Sequence, residues 1–332
     1  MNESKQNETI GRVVFKNEPK LSEHEVDQVF NDRRVSLLPQ VRNFISAHDR
    51  FKGKEVTVTF SSKGVSSLVS IIETPDERLV LKVPLRIMFS EGEGQFLKVW
   101  ERAGVRVPHV IEEGTMGEHS YVLMEYIDAE ILSEKYDNEQ LVEKGIITEM
   151  GRILRVMHTP EAEGYGRVVE GKAEYPKFED WLESDDIKDR IEYAKKHKFL
   201  GDKLELLLPA TFKALTDQAA KDNKSSYCHD DFGASNIFAT DPITIFDPNT
   251  RFNNRYIDLG RTVAITVSTG KYDKVVGQLI KGYFEEEAYN HKALLASVLL
   301  NSCMKFPYWD KTKKFKRIKN VQDYLLKNAD LI

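Results

Sequence analysis

Cysteine is scarce in this chain. Only Cys228 and Cys303 occur among 332 residues, so no C-x-x-C pair or Cys/His cluster exists to hold zinc. Sparse cysteine fits a reducing compartment. Long apolar runs are missing too. The longest strongly apolar helix candidate, residues 293–300, falls far short of the ~20 residues that span a bilayer. The opening MNESKQNETIGR lacks the basic-then-apolar order of a secretion signal. These absences imply a cytoplasmic protein with no membrane partner. Charge of one sign is also lacking: 48 basic against 53 acidic residues leave a net charge of −5. That balance exerts no global pull on nucleic acid or an anionic surface.

The chain does have the composition of an ordinary globular protein, 41% hydrophobic and 30% charged. Its length exceeds what one small core organises and implies two lobes. Within residues 1–50, Val35, Leu38, Val41 and Ile45 recur at helical spacing. The texture then changes to β-rich runs: EVTVTF at 55–60, LVSII at 68–72 and RLVLKV at 78–83, with turn signals between them. A helix is expected over 95–101, an extended stretch after Pro108, and a buried strand at YVLMEYI, 121–127. Beyond it strand signals thin out. Leu141, Ile146, Ile147, Met150, Ile153, Leu154 and Met157 line up for a helix ending near His158.

The most informative run is YCHDDFGASNIF, residues 227–238. It carries His229, Asp231 and Asn236 as H-x-D-x-x-x-x-N, and IFDPN with Asp247 follows a second apolar run. That order suits phosphoryl transfer from ATP: a carboxylate to accept a hydroxyl proton, then an amide and a carboxylate to hold magnesium. Asp231 is the candidate base, and one fixed carboxylate suffices because the transition state is loose. Asn236 and Asp247 offer the hard oxygen donors that magnesium prefers. His229 reads as architectural. The competing reading is an Asp-rich surface loop with an Asn N-cap. Its flanks oppose it, since Ile237-Phe238, a turn at 240–242 and an apolar 243–246 lead directly into Asp247. Cys228 raises a thiol nucleophile as a rival, although cysteine in an apolar lead-in usually behaves as a small buried hydrophobe.

These motifs resemble those of the aminoglycoside phosphotransferase family, a small-molecule branch of the protein-kinase-like fold. HDDFGASNIF is similar to the catalytic loop of the hygromycin phosphotransferases. The resemblance runs from about residue 55 to about 265. It implies an α+β, two-lobed protein-kinase-like fold. The N-terminal lobe would span 1–127, a helical extension over about 1–50 followed by a β-rich nucleotide-binding part. A larger helical C-terminal lobe over 128–332 would hold the catalytic and substrate sites. ATP (or GTP) and Mg2+ are the implied cofactors. The resemblance makes Lys82 the ATP-phosphate lysine, with Glu93 as its helix partner and Glu91 as the rival. Ser61, Ser62 and Gly64 of SSKGVSS would lie in the phosphate-covering loop. The main chain of Glu125 and Ile127 would meet adenine, with Met124 beside the pocket. On residue type alone, Lys82 reads as a snorkelling edge-strand lysine and SSKGVSS as a hairpin turn. Gly92 and Gly94 weaken any helix around Glu93.

Two departures stand out. Asp230 occupies a position that is commonly glycine in the family, where the extra carboxylate either enlarges an acidic acceptor site or faces solvent. Pro248-Asn249 follows Asp247 where other members often have Trp and an acidic residue. Asp258, in YIDLGR, is similar to a family aspartate that braces the catalytic loop.

Three remaining signals are discounted. Gly164-Tyr165-Gly166 lacks the preceding strand and third glycine of a dinucleotide fingerprint and reads as a loop. The acidic run EDWLESDD, 179–186, reads as a solvated helix face, or else as the rim of a site for a cationic acceptor. The basic, aromatic-interleaved stretch from Lys305 reads as a helix with aromatics inward and lysines in solvent, ahead of a nucleic-acid contact. The expectation is an ATP- and Mg-dependent phosphotransferase acting on a small-molecule hydroxyl. An aminoglycoside-like antibiotic leads as acceptor, which would make this a resistance enzyme. The alternatives are a sugar or amino-alcohol kinase and a non-catalytic nucleotide-binding scaffold. The expected partner is a small hydroxylated molecule, suited to Asp230 if cationic, with no nucleic acid; the chain is expected as a monomer or homodimer.

Overall fold

The computed structural model describes residues 12–23, 27–62, 64, 66–85, 92–270 and 273–332. Glu91, two residues of the SSKGVSS loop (Lys63 and Val65) and the polar start of the chain lie outside the described residues. The chain divides into two compact units, Met1–Ser90 with Pro108–Asp128, and Glu91–Val107 with Ala129–Ile332. Residues 91–107, placed by sequence in the N-terminal lobe, group with the second unit.

The first unit is built on a six-stranded sheet. Its strands are β1 (Val13–Phe15), β2 (Val56–Phe60), β3 (Ser67–Glu73), β4 (Arg78–Pro84), β5 (Val110–Met116) and β6 (His119–Glu125), in the order β1-β2-β3-β4-β6-β5. The alternation in VTVTF buries Val56, Val58 and Phe60 on one face. The helix Gln28–Ala47 lays Phe30, Leu37, Val41 and Ile45 into the same core. β1 pairs parallel with β2 and was not anticipated, because three residues are too few to show a period. β4 lies between β3 and β6, so Lys82 is on an interior strand and the edge-strand reading fails.

The second unit is mainly helical, but it also contains a five-stranded sheet that the sequence did not reveal. β7 (Glu161–Ala162), β8 (Tyr165–Val169), β9 (Lys172–Tyr175), β10 (Ser225–Cys228) and a strand Arg251–Asn253 contribute to it. Between the last two lies the hairpin β11 (Ile237–Phe238) and β12 (Thr244–Ile245), so Arg251–Asn253 is β13. Strands of two to five residues give too short a pattern to read. Gly164-Tyr165-Gly166 is accordingly not a loop: Tyr165 and Gly166 begin β8. The helix expected over 141–158 is two helices, Asn138–Glu143 and Ile146–Met157.

Two helices of this unit set the site. Arg255–Ser268 and His291–Lys311 pack so closely that a Cβ on Gly260 would collide with Ser297. Ser297 Oγ donates to the Tyr256 carbonyl at 2.6 Å, and Asn301 Nδ2 to the Ile257 carbonyl at 2.9 Å. Ser297, Asn301 and Lys305 follow one another at i, i+4 and i+8, along one face of the helix. No helix among the described residues is long and apolar enough to cross a membrane.

Candidate active site

The loop after β10 is held by one buried carboxylate. Asp258, in the first turn of Arg255–Ser268, accepts the His229 backbone N–H at 2.7 Å and the Asp230 N–H at 2.8 Å. His158 Nε2 meets the same carboxylate at 3.0 Å, and His158 Nδ1 meets the Tyr283 hydroxyl at 2.7 Å. Burial alone would raise the Asp258 pKa. The His158 hydrogen bond, the His158 and His229 charges and the His229 N–H outweigh it and hold the carboxyl below its usual range. Asp258 therefore braces the loop through its backbone, as the resemblance implied.

His229 is fully buried. Its ring stacks on Trp100 with centroids 5.9 Å apart, and Nε2 lies 3.0 Å from the Phe246 carbonyl. The imidazole thus ties the loop after β10 to Phe246, the residue before Asp247, the architectural role that its position suggested. Cys228 is buried beside it, with Sγ directed at the Ser226 and Asn253 carbonyls. Burial, then the Asp258 and Asp230 charges, push its pKa well up. A buried neutral thiol is no nucleophile, and that rival falls.

Asp230 corrects the sequence reading in both its forms. It neither faces solvent nor adds to an acidic acceptor site, being only 3% exposed. Its Oδ2 accepts from Arg251 Nε at 2.7 Å and Asn249 Nδ2 at 2.8 Å. Its Oδ1 lies 3.2 Å from Arg261 Nε. The β10–β13 register, Cys228 opposite Arg251, delivers that guanidinium. The Asp230 backbone has φ +55°, the left-handed region where glycine is at ease and Asp is tolerated.

The candidate base remains accessible. The Asp231 side chain is 44% exposed. Asn236 Nδ2 donates to the Asp231 carbonyl at 2.8 Å and to its Oδ2 at 3.2 Å. Crowding by the protein raises the Asp231 pKa, but the charges of Lys305, Arg261 and His229 and the Asn236 hydrogen bond overcome this and lower it. Because the Asn236 amide nitrogen is turned to Asp231, its oxygen faces elsewhere. The β11–β12 register sets Ile237 opposite Ile245, and the Phe246 N–H donates to the Asn236 carbonyl at 3.1 Å. Asp247, exposed and with φ +57°, therefore follows directly on the residue bonded to Asn236. An amide oxygen and a carboxylate at one end of a hairpin are hard donors that fit magnesium.

Sequence reasoning missed Lys305. By its sequence the stretch that begins with it reads as solvated lysines, yet its Nζ lies 3.6 Å from Asp231 Oδ1. Burial, then the Arg261 charge, push its pKa down to about 8, against the opposing pull of Asp231 and Asp230. The i, i+4, i+8 alignment with Ser297 and Asn301 was the available signal. The aromatics of that stretch are divided: Phe306 and Trp309 are buried, while Tyr308 and Phe315 are exposed. In the acidic run, Trp181 is buried while Glu179, Asp180, Asp185 and Asp186 are exposed in the first turns of two helices. A helix N-terminus favours such charges, so the solvated-face reading accounts for them.

The residues assigned to the nucleotide fall in both units. In the first, Lys82 is buried on β4, in register with Val69 and Val122. Ser61, Ser62 and Gly64 lie between β2 and β3, with Gly64 at φ +86°. Buried Arg34, from Gln28–Ala47, donates to the Gly64 and Ser67 carbonyls, so the N-terminal helix buttresses this loop. At the end of β6, the Glu125 N–H already donates to the His109 carbonyl at 2.9 Å, and the Tyr126 N–H to the Arg78 carbonyl at 3.3 Å. Ile127, two residues beyond β6, is buried. Met124 is buried, paired with Val80. In the second unit, Glu93 is the first residue of the helix Glu93–Arg102 and is buried. Gly92 caps that helix at φ +90°, so one of the glycines that seemed to weaken the helix instead starts it.

The family model described as the phosphotransferase enzyme family matches residues 57–293. No curated protein matches the chain. Among solved structures, a thermostable mutant of aminoglycoside phosphotransferase APH(4)-Ia, in ternary complex with AMP-PNP and hygromycin B, is similar with a TM-score of 0.59. It is 14% identical, covering 85% of this chain and 95% of that one. A microcompartment-associated aminopropanol kinase is 13% identical, TM-score 0.58, covering 89% and 99%. Spectinomycin phosphotransferase APH(9)-Ia, with ADP and spectinomycin, is 12% identical, TM-score 0.53, covering 86% and 93%. At these identities the likeness is one of fold, the α+β protein-kinase-like fold expected from the motifs.

Proposed function

Because the chain belongs to the phosphotransferase enzyme family, we propose that Asp231 is its catalytic base in magnesium-dependent transfer of the ATP γ-phosphoryl group to a small-molecule hydroxyl. The observation that carries this is the pairing of an accessible, ionised Asp231 with Asn236 on a loop locked by Asp258. Asp231 orients the acceptor hydroxyl and takes its proton as the bond to phosphorus forms. Its depressed pKa makes it a weak base, which suits a loose transition state where positioning outweighs proton abstraction. Asn236 and Asp247 are the residues that would hold magnesium, which when bound neutralises charge on the phosphate oxygens. Lys82, Glu93 and the Ser61, Ser62 and Gly64 loop are assigned to the nucleotide phosphates. The Glu125–Ile127 main chain, beside Met124, is assigned to the base, with GTP as the alternative donor. The location we assign is the cytoplasm.

A non-catalytic scaffold has less support, since Lys82, Asp231, Asn236 and Asp247 are all retained. The resemblance favours an aminoglycoside-like acceptor, and with it antibiotic resistance. That preference loses the Asp230 carboxylate, which Arg251 and Arg261 already neutralise. The test is a panel of aminoglycosides, sugars, sugar acids and amino alcohols scored for ATP consumption, with the Asp231→Asn protein as blank. ATP consumption by no member would count against the reading. Asp247→Asn is expected to raise the magnesium concentration for half-maximal rate by at least the roughly 10–100-fold that outer-shell partners alone contribute. A magnesium titration at saturating ATP checks this, and an unchanged midpoint removes Asp247 from the metal site.

A further inference from the structure

The cations around the base are placed unequally. Asp230 faces two guanidiniums, Arg251 at 2.7 Å and Arg261 at 3.2 Å. Asp231 faces the ammonium of Lys305 at 3.6 Å. Arg251 also acts on Glu174, and the Asp258 carboxylate lies against the same loop backbone, so the two arginines are matched by carboxylates. The arginine side chains are only 14% and 10% exposed, whereas that of Lys305 is 23% exposed, beside a carboxylate that is 44% exposed. An acceptor that brings its hydroxyl to Asp231 therefore meets the Lys305 ammonium. Like charges placed together in a partly desolvated site repel strongly, and an anion gains there. Lys305 also lies outside residues 57–293, the part that matches the family model. A charge delivered from outside that part suits acceptor choice better than the shared transfer step.

We infer that Lys305 selects the acceptor, and that the acceptor carries an anionic oxygen group, carboxylate or phosphate, near the hydroxyl that is phosphorylated. This rests on the reading of Asp231 as base. Burial and Arg261 already lower the Lys305 pKa to about 8, and a bound anion would offset that penalty. Fold similarity does not choose an acceptor; the charge beside the base does.

The test compares acceptors on one skeleton: gluconate, glucose 6-phosphate, glucose and glucosamine. Full-length wild type, Lys305→Met, Lys305→Arg and Lys305→Glu are assayed for kcat/KM by ATP consumption. Wild type is expected to favour the anionic members and disfavour glucosamine. Lys305→Arg should keep that ranking. Lys305→Glu should shift the anion-to-cation ratio by at least about 100-fold, as expected for like charges placed together. A lysine that only anchors Asp231 would lower all acceptors in proportion and leave the ranking unchanged, and that outcome overturns the inference, as does a wild type that prefers glucosamine. Calorimetric binding of the same four compounds separates this question from turnover. Anion binding should weaken at least tenfold in Lys305→Met. Equal binding, or no anion binding to wild type, overturns the inference whatever the turnover, whereas anion binding without any ATP consumption would count only against the phosphotransferase reading.

Discussion

Asp231→Asn is expected to lower phosphoryl transfer by about 10²–10⁴-fold, the usual worth of a positioned general base, while ATP still binds. The carboxamide has the same shape but cannot take the hydroxyl proton, and it loses the charge that faces Lys305 at 3.6 Å. The loop itself should stay in place, because Asp258 holds it through the backbone of His229 and Asp230 and not through the Asp231 side chain. The loss should therefore appear in kcat, with little change in nucleotide affinity. Single-turnover transfer from γ-labelled ATP, paired with calorimetry of an ATP analogue, separates the two. Full turnover by the purified variant would remove Asp231 from the mechanism.

Asp258→Ala is expected to destabilise the protein by about 3–5 kcal/mol, the range for removing one partner of a buried charged pair. It strips the acceptor from three donors at once: the backbone N–H groups of His229 and Asp230 and the His158 ring. None can reach water in a fully buried setting. Activity should fall as well, since the backbone that carries Asp231 is released. Urea unfolding measures the first effect and acceptor turnover the second. The loss should also depend on pH. The folded-state pKa of Asp258 is depressed, so its contribution is complete above the unfolded value of about 3.9 and fades as pH falls through the folded value. The stability gap between wild type and variant should thus be widest near neutrality and narrow in acid. A gap that stays constant down to strong acid, or a variant as stable as wild type, would mean that Asp258 is not the brace.

Several parts of the site were legible because their information is local. His229, Asp231 and Asn236 share one loop, and Asp247 follows one short hairpin, so spacing alone places them together. The strands around Lys82 announced themselves by alternation over five to seven residues. The strands of the second sheet did not, because two to five residues carry no readable period. Glu93 came only from the resemblance, because the helix expected over 95–101 stopped short of it and the glycines around it looked like damage until Gly92 proved to be the cap.

Residue types and their order along the chain pointed to phosphoryl transfer: Asp231, Asn236 and Asp247 stand within one loop and hairpin, after the strand that carries Lys82. Only the tertiary structure decided the charge around Asp231. Asp230 looked like an open acidic group until β13 and the Arg255–Ser268 helix brought Arg251 and Arg261 to it. Lys305 looked like a solvated lysine until its helix packed through Ser297 and Asn301 and carried it to Asp231. The physical reason is that an ion pair is set by which elements meet in space, and neither local spacing nor net charge encodes that meeting.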